Sequence, residues 1–172
     1  MNITQTQHSR RSIRISEFEY HKEGAYFITI CAYQKKCLFG SIHDEKMNLN
    51  NIGERIEINW QSIPDHFPNA ELNEFVIMPN HMHGIISIVD GSHRTKTIGT
   101  IIGRFKSSVT SWVRANTQIH HLWQRNYYEH VIRDERDYQR IAAYIDGNPS
   151  QWNQDALHPL NDLQSPVLIE NP

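Results

Sequence analysis

The chain has 172 residues, 38% of them hydrophobic and 21% charged, and its 17 basic and 19 acidic side chains give a formal net charge of −2. That length suits one domain with a real core, and that composition is far from the disordered class. The apolar runs, such as residues 85–89, are too short to span a bilayer, and Cys31 and Cys37 alone make no disulfide framework, so reduced thiols in a cytoplasmic protein are expected.

Residues 1–24 are polar, carry Arg10, Arg11 and Arg14, and lack the apolar core of a secretory leader. They are expected to form a basic arm. The run AYFITICAY after Gly24 is rich in aromatic and β-branched residues and predicts a first strand, and Lys46–Leu49 predicts a short second one. Ile52, Ile56 and Trp60 recur every four residues, one face of a helix that Pro64 and Pro68 close. ELNEFVIM and HMHGIISIV, separated by Pro79-Asn80, predict adjacent strands. Ile101, Ile102, Phe105, Val109, Trp112 and Val113 predict a long helix, NYYEHVI a further strand, and Tyr138, Ile141, Ala142 and Ile145 a last helix stopping at Gly147-Asn148-Pro149. The order strand, helix, two strands, helix, strand, helix predicts an α+β, ferredoxin-like fold, an antiparallel sheet with helices packed mainly on one face. The expected organisation is an arm over 1–24, a domain over 25–149 and a polar tail over 150–172.

Charge is unevenly spread. Residues 90–133 hold seven Lys/Arg against two acids, although the chain as a whole is slightly acidic and so argues mildly against nucleic acid. A solvated face is the plain reading of such a stretch, and a surface that contacts a phosphate backbone is the other.

Three groups of residues carry candidate chemistry. His81 and His83 are two apart on a strand, so both imidazoles point to one face and Met82 to the other. They form either half of a metal site or an ordinary pair of polar histidines. Tyr144 lies four residues before Asn148, which places a phenol and an amide near one helix face. A packed ring is the plain reading of Tyr144. The proline after Asn148 disfavours helical torsions there, so its amide either caps the helix or faces the same site as Tyr144. In WQRNYYEH, Tyr128 and His130 share one strand face, and the aromatics beside Arg125 and Arg133 suit base stacking and phosphate contacts, or simply core and surface.

The segments MPNHMHGII, GTIIGRFKSSVTSWV, LWQRNYYEHVIRDERDY and AAYIDGNP, preceded by RRSIRI and GAYFITICAYQKKCLFG, closely resemble the REP-associated tyrosine transposases, a branch of the HUH class. The resemblance runs from about Arg10 to about Pro159 in the family's order. It implies the ferredoxin-like HUH fold and, as substrate, single-stranded DNA hairpins with flanking bases. It also implies Mg²⁺ or Mn²⁺ on His81 and His83, with Asn148 in the place of a third polar ligand, and Tyr144 as a nucleophile that forms a 5′-phosphotyrosine. Backbone contacts are expected from Arg10, Arg11, Arg104, Lys106, Arg125 and Arg133. His130 is near the chemistry without an assigned role. A monomer or a homodimer, cytoplasmic and associated with the nucleoid, is expected, with no membrane partner. The competing readings are a metal phosphodiesterase that uses water and a DNA-binding relative that reads repeats without cutting them.

Overall fold

The structure is a computed structural model and describes residues 23–89 and 97–162. Arg10 and Arg11 lie outside the described residues. Eight residues, Gly24–Cys31, form β1. Strands β2 (Gly40–His43) and β3 (Lys46–Leu49) form a separate hairpin whose turn residues Asp44 and Glu45 both have positive φ, 48° and 61°. That left-handed pair matches the twist of a two-residue hairpin.

Helix α1 (Asn51–Gln61) starts where the Asn50 side chain accepts hydrogen bonds from the Ile52 and Gly53 N–H groups, a cap of about 1 kcal/mol. A single turn, α2 (Ile63–His66), leads to β4 (Ala70–Ile77) and β5 (His81–Ile88). Helix α3 (Ile98–Asn116) is capped by Thr97, and β6 (Tyr128–Ile132) precedes α4 (Glu135–Gly147), capped by Asp134. A 3-10 turn over Pro149–Gln154 and the short α5 (Pro159–Asp162) complete the described chain, in which no helix is long and apolar enough to cross a membrane.

The main sheet has the order β4-β5-β1-β6 and every neighbour pair is antiparallel. Its two central strands are covered on both faces. Tyr26, Ile28, Ile30, Met82 and Ile86 meet α1 and α3 through Ile56, Trp60, Ile101, Phe105 and Val109. Phe27 and Ile85 meet Ile141 and Ile145 of α4 on the other face. Helices therefore pack mainly on one face, as the element order predicts, and α4 lies on the second. Gly84 is required where Trp60 crosses the sheet, because a Cβ there would come within 2.4 Å of the indole.

Two polar links from successive residues seat α4. The Tyr138 hydroxyl donates to the Glu74 carboxylate of β4 at 2.6 Å, and Asp137 pairs with His130 Nε2 of β6 at 2.8 Å. His130 thus ties the edge strand to the first turn of α4, which carries Tyr144 two turns later.

A candidate metal and nucleophile centre

His81, His83 and Phe27 face α4, while Met82 is buried on the α1–α3 side, as strand alternation predicts. Both imidazoles are buried. Removal from water lowers the pKa of His81 to about 4, against a small opposing effect of the nearby Asn148 amide. It lowers that of His83 to about 3, helped by His81. Both rings are therefore neutral at pH 7, the state in which imidazole binds metal.

Hydrogen bonds fix which nitrogen of His81 is open. The Asn80 amide nitrogen donates to the carbonyls of Lys35 and Leu157, at 2.9 and 2.8 Å, so its oxygen must be the atom that meets His81 Nδ1 at 2.8 Å. Nδ1 then carries the proton and donates. Nε2 is left with a bare lone pair, buried and without a hydrogen-bond partner. His83 Nδ1 pairs with the Thr29 hydroxyl at 2.8 Å, and His83 Nε2 lies 3.2 Å from the Tyr144 hydroxyl.

Asn148 resolves the two readings left open for it. It keeps αR torsions (φ −61°, ψ −42°) in spite of the following proline, because the chain tightens from α4 directly into the 3-10 turn. Its side chain caps nothing. The amide is buried beside the His81 ring and the Tyr144 hydroxyl, and its oxygen has no hydrogen-bond partner.

The segment beyond Ser150 supplies a residue that sequence reasoning missed. The 3-10 turn lays Trp152 against His81, with ring centroids 6.1 Å apart, and returns Asp155 to the centre. One oxygen of Asp155 accepts from the Leu157 N–H at 2.6 Å, and the other stands 3.7 Å from His81 Nε2. That separation is too long for a hydrogen bond, and with His81 neutral it is no ion pair. Ligand atoms of His81, His83 and Asp155 all lie within 4.8 Å of one another. Two imidazole nitrogens, a carboxylate and an orphaned amide oxygen fit a divalent cation, and Mn²⁺ accepts imidazoles more readily than Mg²⁺ does.

Tyr144 stands at the rim, 45% exposed. Its pKa is raised, first by partial burial and then by the Asp155 charge, with Asn148 opposing. The phenol is thus protonated when no cation is near, and the centre in that state does not activate it.

The basic candidates scatter. Arg104 is exposed on α3, across the sheet from Tyr144, where it lines a cleft of about 290 Å³ with His66, Phe67 and Ser108. The Lys106 ammonium donates to the carbonyls of Gln124 and Arg125 at 2.7 and 3.2 Å, and burial lowers its pKa to about 8, so it anchors the loop before β6. Arg125 and Arg133 are exposed at the two ends of β6. Cys31 is half-buried opposite His81 in the sheet, with its thiol pKa raised by burial, and Cys37 is exposed.

Residues 16–148 match the family described as IS200-like transposases. An uncharacterized protein of Haemophilus influenzae is 47% identical over 169 residues, covering 88% of this chain and 94% of its own. A REP-associated tyrosine transposase of Escherichia coli is 29% identical over 79 residues, 46% of this chain and 44% of its own. The fold matches that of a REP-associated tyrosine transposase solved with a REP hairpin, at TM-score 0.60 and 23% identity over 76% of this chain and 68% of that one. The chain belongs to the family of IS200-like transposases, in which its likeness is to the REP-associated tyrosine transposases.

Proposed function

We propose that this transposase cuts and rejoins single-stranded DNA by transesterification at Tyr144, beside a divalent cation held by His81, His83, Asp155 and Asn148. The observation that carries this reading is the convergence of buried, unpartnered ligand atoms, His81 Nε2 and Asn148 Oδ1, on the centre where the Tyr144 hydroxyl already touches His83.

The Tyr144 oxygen attacks the scissile phosphorus in line. A bond from phosphorus to tyrosine forms and the bond to the 3′-oxygen breaks, leaving a 5′-phosphotyrosine and a free 3′-hydroxyl. The phenol loses one proton and the 3′-oxygen gains one, so the step balances without a nucleotide cofactor. A 3′-hydroxyl that attacks the phosphotyrosine rejoins the strand. When bound, Mg²⁺ or Mn²⁺ neutralises charge on the phosphate and favours the phenolate. Asn80 holds His81 with its lone pair inward, Thr29 orients His83, and the Tyr138 and Asp137 links hold the helix that presents Tyr144. The substrate class is a hairpin with single-stranded flanks, by analogy with the solved relative bound to a REP hairpin.

Covalent trapping tests the reading. Labelled hairpins from palindromic repeats near the gene are mixed with the protein and Mn²⁺ or chelator, then run on a denaturing gel. A metal-dependent protein–DNA band that vanishes in Tyr144→Phe is expected. Cleavage without an adduct that persists in Tyr144→Phe would make the chain a hydrolytic nuclease, and binding without cleavage under any metal a repeat-binding relative.

A further inference from the structure

We propose that Tyr128 is the stacking platform for a base of the single-stranded flank next to the scissile phosphate, a role that rests on the strand-transfer reading above. Register provides the first support. Val76, His83, Thr29 and Tyr128 form one row across the four strands, so their side chains share the α4 face. Tyr128 is two strands from His83, which puts their Cα atoms about 10 Å apart. Side chains stand roughly perpendicular to a sheet, so the ring keeps about that distance from the centre, on the order of one nucleotide.

The position of α4 provides the second. Helix α4 leans on β4 and meets β6 through the His130–Asp137 pair near its own start. Tyr144 is seven residues after Asp137, within about 20° of two full turns, and so lies on the side of the helix that faces β6. The nucleophile opens towards the β6 edge of the sheet, where Tyr128 stands 60% exposed among the described residues. A strand reaching Tyr144 from solvent enters over Tyr128.

The two adjacent tyrosines separate packing from recognition. Tyr127 points to the other face and packs against the α1–α3 core. Tyr128 belongs to neither hydrophobic cluster, so its ring contributes little to the fold. A base has an apolar π-face whatever its identity, and an exposed phenol ring beside a phosphate-handling centre fits it without dictating sequence. The Arg125 guanidinium, just before β6 and exposed, makes no hydrogen bond or ion pair among the described residues and supplies charge for the adjoining backbone.

The test uses the full chain in chelator, so that no strand is cut, with hairpin oligonucleotides carrying 2-aminopurine at successive flank positions. Wild type is expected to quench one or two neighbouring positions. Tyr128→Leu, which keeps an apolar side chain without a π-face, is expected to lose that quenching and to bind the flank roughly 5- to 100-fold more weakly. Tyr128→Phe is expected to restore both, and the melting temperature of either variant to match wild type. Quenching and affinity unchanged in Tyr128→Leu overturn the stacking role, as does wild type that forms the covalent adduct yet quenches no position. Wild type that neither binds these hairpins nor forms an adduct overturns the strand-transfer reading with it.

Discussion

The Tyr144 hydroxyl and His83 Nε2 lie 3.2 Å apart, so the candidate nucleophile sits against the ring nitrogen that a metal ion needs. In the tautomer in which His83 Nδ1 donates to the Thr29 hydroxyl, Nε2 accepts a hydrogen bond from the phenol. A cation that binds must displace this contact, which frees the tyrosine oxygen and brings positive charge beside it. Tyr144→Phe removes the competitor and leaves the ring. It is expected to abolish the covalent adduct and to bind Mn²⁺ a few-fold more tightly, since the contact it deletes is about a 1 kcal/mol hydrogen bond. Titration calorimetry checks this, and Mn²⁺ affinity that falls in Tyr144→Phe would show the phenol to be a ligand instead.

Asp155 is separable into two functions. Its Oδ1 closes a turn by accepting from the Leu157 N–H, and its other oxygen faces His81. Asp155→Asn keeps an oxygen for the turn and removes the negative charge from the centre. Mn²⁺ binding is expected to weaken by roughly 10-fold or more, the loss of about 1.4 kcal/mol or greater that a carboxylate ligand carries over an amide. Thermal unfolding without metal is expected to change by no more than a few degrees. A variant that keeps wild-type Mn²⁺ affinity would remove Asp155 from the ligand set.

Most of the fold and part of this centre were readable before the structure. His81, His83, Tyr144 and Asn148 sit at regular strand and helix spacings, and regular spacing is what periodicity reveals. Asp155 was hidden because it returns through a 3-10 turn, where no fixed interval relates it to Asn148. Asn80 was hidden because its importance lies in contacts with Lys35 and Leu157, which are remote in sequence. The β2 strand was missed because Gly40–His43 is short and only half-buried, with little apolar pattern. The charge pattern over residues 90–133 placed Lys106 among the phosphate contacts, whereas its ammonium is spent on backbone carbonyls in the structure. Composition reports that a cation is present and says nothing of whether its donors are already used.

The buried histidines make an acid-sensitive fold. Their folded pKa values, about 4 for His81 and about 3 for His83, lie below the ordinary 6.5, so the unfolded chain binds more protons between those limits. Stability is therefore fully present above pH 6.5 and falls as pH drops towards 4. For His81 alone the loss is roughly 3 kcal/mol, at about 1.4 kcal/mol per pK unit. Urea midpoints measured in chelator from pH 7 to 4.5 are expected to decline steadily, and His81→Gln to flatten the decline. Equal slopes in the two proteins would mean that His81 is already protonated in the fold.

Gly84 joins the core to the centre, because it follows His83 on β5 and has Trp60 directly against its backbone. A methyl group at this position would meet the indole at 2.4 Å, well inside van der Waals contact, and Trp60 is fully buried with no room to retreat. Either the ring moves away from the sheet or β5 bows towards α4, and the second response shifts His83 against Thr29 and Tyr144. Gly84→Ala is expected to destabilise the fold by about 1–3 kcal/mol, the usual cost of overpacking a filled core. Metal binding should separate the two responses. If the strand bows, Mn²⁺ affinity falls along with stability, and if only the indole yields, affinity stays at the wild-type level while tryptophan emission shifts. The strand is the expected loser, because Trp60 is fully buried and also packed edge-on against Phe105, at a centroid distance of 5.4 Å, whereas Tyr144 at the rim of the centre is 45% exposed and can give way.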